Sequence, residues 1–242
     1  MEYEGFVEQV RADGQKLADA ADGNIDADVP SCPGWQVRDL VAHIAQVYEH
    51  KIECTRLGKA PDPWPPEWPQ AGDPLPWFRD AHARLLDMFE ANEASSPSAT
   101  WWPADQTVGF WARRMAHETA VHRVDAELAR GAATPVDAGL ATDGVDEILH
   151  IMLAGDWSED ADDAMTGQRV AIETGGRAWQ VVLDREAMTV LDGDGTADAT
   201  LSGSPSDVLL WLWGREPDDR VEMSGDQEAH RLMRTRLVMA TQ

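Results

Sequence analysis

Four stretches of helical apolar spacing, separated by breaks rich in Pro, Gly, Ser or Asp, fill the first 130 residues, and past about Gln168 the period changes to that of short strands. Phe6, Val10, Leu17 and Ala20 mark a first helix over 3–22, which Asp22-Gly23-Asn24 breaks. After the turn in VPSCPGW, residues Val37, Leu40, Val41, Ile44, Val47 and Tyr48 mark a second helix from about 36 to 57. The proline-rich loop GKAPDPWPPEWPQAGDP leads to a third helix over 75–92, carried by Phe78, Leu85, Leu86 and Phe89. A fourth runs from about 110 to 130, and Gly131 ends it in the manner of a C-cap glycine. Long helices joined in this way bury their apolar stripes against one another, which predicts a helical bundle.

A fifth helix is expected over 140–154. Short strands follow in RVAIET, AWQVVLD, MTVLD and ADATLSG, with turns at Gly175-Gly176 and Asp192-Gly193-Asp194-Gly195. Two helices close the chain: SPSDVLLWLWG, with Ser204 as N-cap and Pro205 in the first turn, and DQEAHRLMRTRLVM. The expected fold class is therefore α+β, a four-helix bundle followed by a smaller α+β domain. The acidic stretch SEDADDAM suggests a boundary that divides residues 1–158 from 159–242.

Charge narrows the ligands. The 242 residues hold 44 acidic against 20 basic side chains, a formal charge of -24 that repels nucleic acid and anionic membrane surfaces. No stretch approaches the 18 or so apolar residues of a membrane span, and MEYEGFVEQV lacks a basic segment followed by an apolar run, so a cytoplasmic protein is expected. Cys32 and Cys54 are too few for a disulfide framework and match no zinc-knuckle or CxxC spacing, which predicts free thiols.

The candidate chemistry lies on the second and fourth helices. In RRMAHETAVHRVDAE, Glu118 and His122 project about 40° apart on one helical face, so both can reach one ion. His43 in RDLVAHIAQVYEH offers a third ligand, and a His/Glu/His set holds a divalent metal with a fourth position open. The ordinary alternative for the i,i+4 pair is a modest stabilising contact on a helix surface. His117 points about 140° from His122 and is excluded as a ligand. His50 and Cys54 share the direction of His43 but lie roughly 10 and 16 Å along the axis, too far to share its ion. Asp39 is placed to fix the His43 tautomer from behind. Arg114, one turn from Glu118, is expected to be its structural partner. Trp35, Trp211 and Trp213 fit core packing, and core is also favoured over a cleft for Trp101-Trp102.

PGWQVRDLVAHIAQV, RRMAHETAVHRVDAE and the later GSPSDVLLWLWGR resemble the mycothiol-dependent maleylpyruvate isomerase family of the DinB-like metalloenzyme superfamily. The resemblance covers both halves of the chain. It implies a DinB-like bundle whose metal, typically Zn2+, is held at the positions of His43, Glu118 and His122. It also implies an enzyme that uses mycothiol as thiol cofactor or cosubstrate, with small molecules as its partners. The thiol would take the open metal position and work as a thiolate. In isomerisation the thiolate adds to the conjugated double bond, the resulting single bond rotates, and elimination regenerates the thiol. S-transfer to another electrophile uses the same thiolate and stops after addition or displacement; both outcomes stay open, as does a non-catalytic metal- or small-molecule-binding protein that retains the fold. Arg215 in LWGR corresponds to a family arginine and is the implied contact for an anionic group of substrate or thiol. As a cation at the end of an apolar helix, it has an equally ordinary role against the helix dipole.

Overall fold

A computed structural model describes residues 1–64 and 72–241. The part of the proline-rich loop over 65–71 lies outside the described residues. The chain divides into two compact units, Met1–Thr134 and Pro135–Gln242.

The first unit is a bundle of four helices: α1 (Tyr3–Ala21), α2 (Val37–Leu57), α3 (Leu75–Glu90) and α4 (Val108–Leu128). Helix α1 packs mainly on α4, and α2 on α3 and α4. Leu17, Leu40, Ile44, Phe78, Leu85 and Phe89 are fully buried between them, the positions whose spacing predicted the helices. Local chemistry sets the ends. Asp39 accepts from the Gln36 backbone N–H at 2.9 Å and closes a capping box at the start of α2. Gly58, left-handed at φ 64°, terminates the same helix. The Thr107 hydroxyl accepts from Phe110 N–H and starts α4.

Helix α4 departs from the amphipathic pattern. It is buried on most of its surface, and Arg114, His117, Thr119, Arg123 and Asp125 are among its buried residues. Charges in such a position need partners within the bundle. Arg123 lies 3.5 Å from Asp13 of α1 and 2.8 Å from Glu127, and it donates to the Thr134 carbonyl. Tyr48 of α2 and Thr119 of α4 share a buried hydrogen bond of 2.6 Å; Thr119 donates to the Met115 carbonyl, so the Tyr48 hydroxyl is the donor between them.

The second unit begins with α5 (Ala138–Glu147), which runs into a π-helical turn, Ile148–Leu153. Its sheet has six strands: β1 (Gly155–Asp156), β2 (Thr166–Thr174), β3 (Arg177–Asp184), β4 (Ala187–Asp192), β5 (Ala199–Ser202) and β6 (Glu222–Gly225). The order is β1-β4-β3-β2-β5-β6, antiparallel except for β2 beside β5. Gly175 and Gly176 both have positive φ, 59° and 75°, and form the two-residue turn that pairs Thr174 with Arg177. Helices α6 (Pro205–Leu212) and α7 (Gln227–Ala240) complete the unit, with α6 against α5 and α7 against the sheet.

The compact units meet at Thr134 and Pro135, not near residue 158. The acidic stretch instead contains a 3-10 turn over Ser158–Asp160 inside the second unit, and α5 belongs to that unit because its apolar face packs on α6. No described helix is long and apolar enough to cross a membrane. Replacing Tyr48 by Phe leaves the core volume intact and removes one buried hydrogen bond. Chemical denaturation of the helical unit is expected to register a loss of about 1 kcal/mol.

Candidate metal centre

His43 comes from the second turn of α2, and Glu118 and His122 come from successive turns of α4. His43 Nε2 is 3.4 Å and His122 Nε2 3.5 Å from the same oxygen, Glu118 Oε1. All three donor atoms lie within 4.8 Å of one another. A tetrahedral site with metal–ligand bonds of about 2.0–2.1 Å has edges of about 3.3–3.4 Å, so each histidine nitrogen already stands near that spacing from Glu118 Oε1. The donor set is also chemically suitable, two imidazoles and one carboxylate. The side chains of Glu118 and His122 are 16 and 12 % exposed and that of His43 is 37 % exposed, so the cluster meets solvent on the α2 side.

The surroundings fix the protonation of Glu118 and His122. Burial pushes the Glu118 carboxyl up, but the Arg114 guanidinium at 2.5 Å and hydrogen bonds with His122 and His43 outweigh it and hold the group well below the usual carboxylate range. Arg114 is thus the structural partner that its spacing suggested. Burial alone would lower His122. Asp125 and Glu118 reverse this, and without a metal its pKa is pushed up to about 9. His122 Nδ1 donates to Asp125 Oδ2 at 2.9 Å, which leaves Nε2 to face Glu118. Asp125 is fully buried and accepts in turn from the Ser31 hydroxyl at 2.5 Å, with the Cys32 thiol at 3.6 Å.

Asp39 serves the helix cap and not the His43 imidazole; the carboxylate behind a histidine is Asp125, three residues after His122. The i,i+3 spacing of that pair was its only signal in the sequence. His117 lies on another face of α4, buried with its ring 6.0 Å from that of Phe6. His50 and Cys54 stay out of the cluster and pair with each other, Nδ1 to Sγ at 3.5 Å. Both cysteines are free thiols. Trp35 is half-buried rather than in the core, and its ring stands 5.2 Å from that of His43, so it flanks the cluster. Trp211 is a core residue, Trp213 is half-buried, and Trp101 is 47 % exposed. Arg215 follows α6 in the second unit, where its guanidinium donates to the Trp213 carbonyl at 2.6 Å.

A second group of metal-ligand types, Asp146, His150 and Asp192, occurs in the second unit. There Arg177 supplies the positive charge, 2.6 Å from Asp146 and 3.7 Å from Asp192, and Trp179 donates to the same Asp146 oxygen. That group is an ion-pair network.

The family described as the mycothiol maleylpyruvate isomerase N-terminal domain matches residues 7–127, half of the chain. Two crystal structures of the mycothiol-dependent maleylpyruvate isomerase, one of them a histidine-to-alanine mutant, share the fold. Each has a TM-score of 0.64 and 14% identity, covering 93% of this chain and 95% of the other. A search of curated proteins finds no match for the chain.

The raised pKa of His122 has a signed consequence. In chelator-treated protein its ion pairs stabilise the fold fully below the ordinary histidine value of about 6.5, and that contribution is lost as pH rises through about 9. Denaturation curves across this window should show the decline, and His122→Gln should remove it.

Proposed function

We propose that this chain, which belongs to the mycothiol maleylpyruvate isomerase N-terminal domain family, is a metal-dependent enzyme that activates mycothiol for cis–trans isomerisation of a maleylpyruvate-type substrate or for S-transfer to an electrophile. The observation that carries the reading is the convergence of His43 Nε2 and His122 Nε2 on Glu118 Oε1, at 3.4 and 3.5 Å with all three atoms within 4.8 Å of one another and solvent on one side. His43, Glu118 and His122 are the proposed ligands of a divalent metal, with Zn2+ favoured by the donor set. A cation held there would stabilise an external thiol as its thiolate at neutral pH.

The protein's own residues prepare this site. Asp125 holds the proton on His122 Nδ1 and so keeps Nε2 available as a lone-pair donor once the second proton leaves. Arg114 keeps Glu118 ionised despite its burial, and it occupies Oε2 so that Oε1 faces the two histidines. Trp35 presents an apolar wall beside His43. Cys32 meets the Asp125 carboxylate and burial pushes the Cys54 thiol up, so an external thiol is the better nucleophile. Arg215 of the second unit is the proposed contact for an anionic group, on the support of the LWGR motif. The proposed place of action is the cytoplasm, where thiols stay reduced.

Protein purified without chelator should hold one divalent metal per chain and, with mycothiol, should act on a maleylpyruvate-type electrophile. Mass spectrometry distinguishes the outcomes, since an adduct indicates transfer and a changed isomer without adduct indicates isomerisation. His122→Ala should abolish metal retention, and Asp125→Asn should weaken metal affinity about 10–100-fold with the fold intact. Absence of stoichiometric metal together with absence of thiol-dependent activity would favour a binding protein that retains the fold.

A further inference from the structure

Two turns beyond His43 on α2, Lys51 stands half-buried against α4 with its ammonium 4.6 Å from the centre of the Trp111 ring. Trp111 and Glu118, seven residues apart on α4, project about 20° apart, so Lys51 borders the same face of α4 that carries the candidate metal ligands. Its partners are sparse. The ammonium donates to His50 Nδ1 at 3.0 Å, and among the described residues no carboxylate lies within 4.0 Å of it. An ammonium has three N–H donors, and here one is spent on a neutral imidazole.

The charged groups around it do not neutralise Lys51. Burial and the neighbouring ammonium push His50 down to about 4, so at neutral pH it is an uncharged acceptor. Glu118 is the nearest source of negative potential, but its oxygens are committed to Arg114, His43 and His122. Arg114 adds positive charge, and burial keeps the Cys54 thiol protonated. Burial outweighs the attraction of Glu118, and Lys51 falls to about 8. Among the described residues the Lys51 ammonium has no carboxylate in contact, and a half-buried cation in that state is costly; an anion placed against its remaining N–H groups would relieve that cost.

We propose that Lys51, above Trp111, is a binding residue for a carboxylate of the electrophilic substrate, so that this site selects small unsaturated carboxylates over neutral electrophiles. The assignment deepens the proposed reaction and rests on it for the identity of the ligand. Anion binding is nevertheless measurable without metal or thiol, so the two readings fail separately.

The test is calorimetric titration of chelator-treated protein with maleate and, as the uncharged counterpart, maleamide. At about pH 7 the wild type should bind maleate in preference to maleamide, and Lys51→Met and Lys51→Gln should each weaken maleate binding about tenfold or more with helical content unchanged. Lys51→Arg should keep most of the affinity. Raising the pH to about 9 should weaken maleate binding to the wild type more than to Lys51→Arg, because the arginine keeps its charge while the titration of His122 is common to both proteins. Maleate binding to both Lys51→Met and Lys51→Gln at wild-type affinity, or no preference of the wild type for maleate over maleamide, would overturn the assignment.

Discussion

A single buried carboxylate, Glu118, organises the seam between α2 and α4. Its burial opposes ionisation, and it stays charged because Arg114, His122 and His43 surround it with opposite charge and hydrogen bonds. Each of those partners depends on it in return. Arg114 is itself buried, and without Glu118 its guanidinium would lose a close ion pair. His122 is held from its other nitrogen by Asp125, and Asp125 is held by Ser31 in the turn that precedes α2. The network therefore runs from that turn through α4 and back to His43 on α2, crossing a bundle whose other contacts are mainly apolar.

Helix α4 carries two sets of charge, and comparing them separates structure from chemistry. Arg123 is fully buried and meets Asp13, Glu127 and the Thr134 carbonyl, so its charge is matched within the protein. The Arg177 network in the second unit is similar, with a guanidinium already between its carboxylates. At Glu118 the pattern differs, since two imidazole nitrogens and one oxygen converge with solvent on one side. Farther along α2, Lys51 has donors that the described residues leave unspent. Unsatisfied and convergent donors are where a ligand gains most, because the fold has already met the cost of desolvating them.

Helical periodicity made the bundle legible from residues such as Leu40, Ile44, Phe78 and Leu85, since an apolar stripe at 3.6-residue spacing has few other uses. The strands β2 to β5 were legible for a similar reason, and Gly175-Gly176 fixed the first hairpin. Strands β1 and β6 carry too few apolar residues to signal themselves, and only pairing with β4 and β5 makes them strands. The boundary was misplaced because an acidic stretch marks solvent exposure as readily as it marks a linker. Wheel geometry could bring Glu118 and His122 together and set His117 apart, whereas the reach of His43 to the same oxygen needed the packing of α2 on α4. Asp125 and Lys51 escaped notice because an acid or a lysine on a polar-looking helix is ordinarily solvated. In α4 the polar look misled, as most of that helix is interior.

Under the proposed function, His43, Glu118 and His122 hold a metal whose remaining position accepts an external thiol. X-ray absorption at the zinc edge of the loaded protein, with and without mycothiol, tests it most directly. The expected spectrum shows nitrogen and oxygen at about 2.0–2.1 Å from the metal and gains one sulfur at about 2.3 Å when mycothiol is added. A spectrum that mycothiol leaves unchanged, or one that keeps its imidazole signature after His43 and His122 are both replaced by Ala, would contradict it.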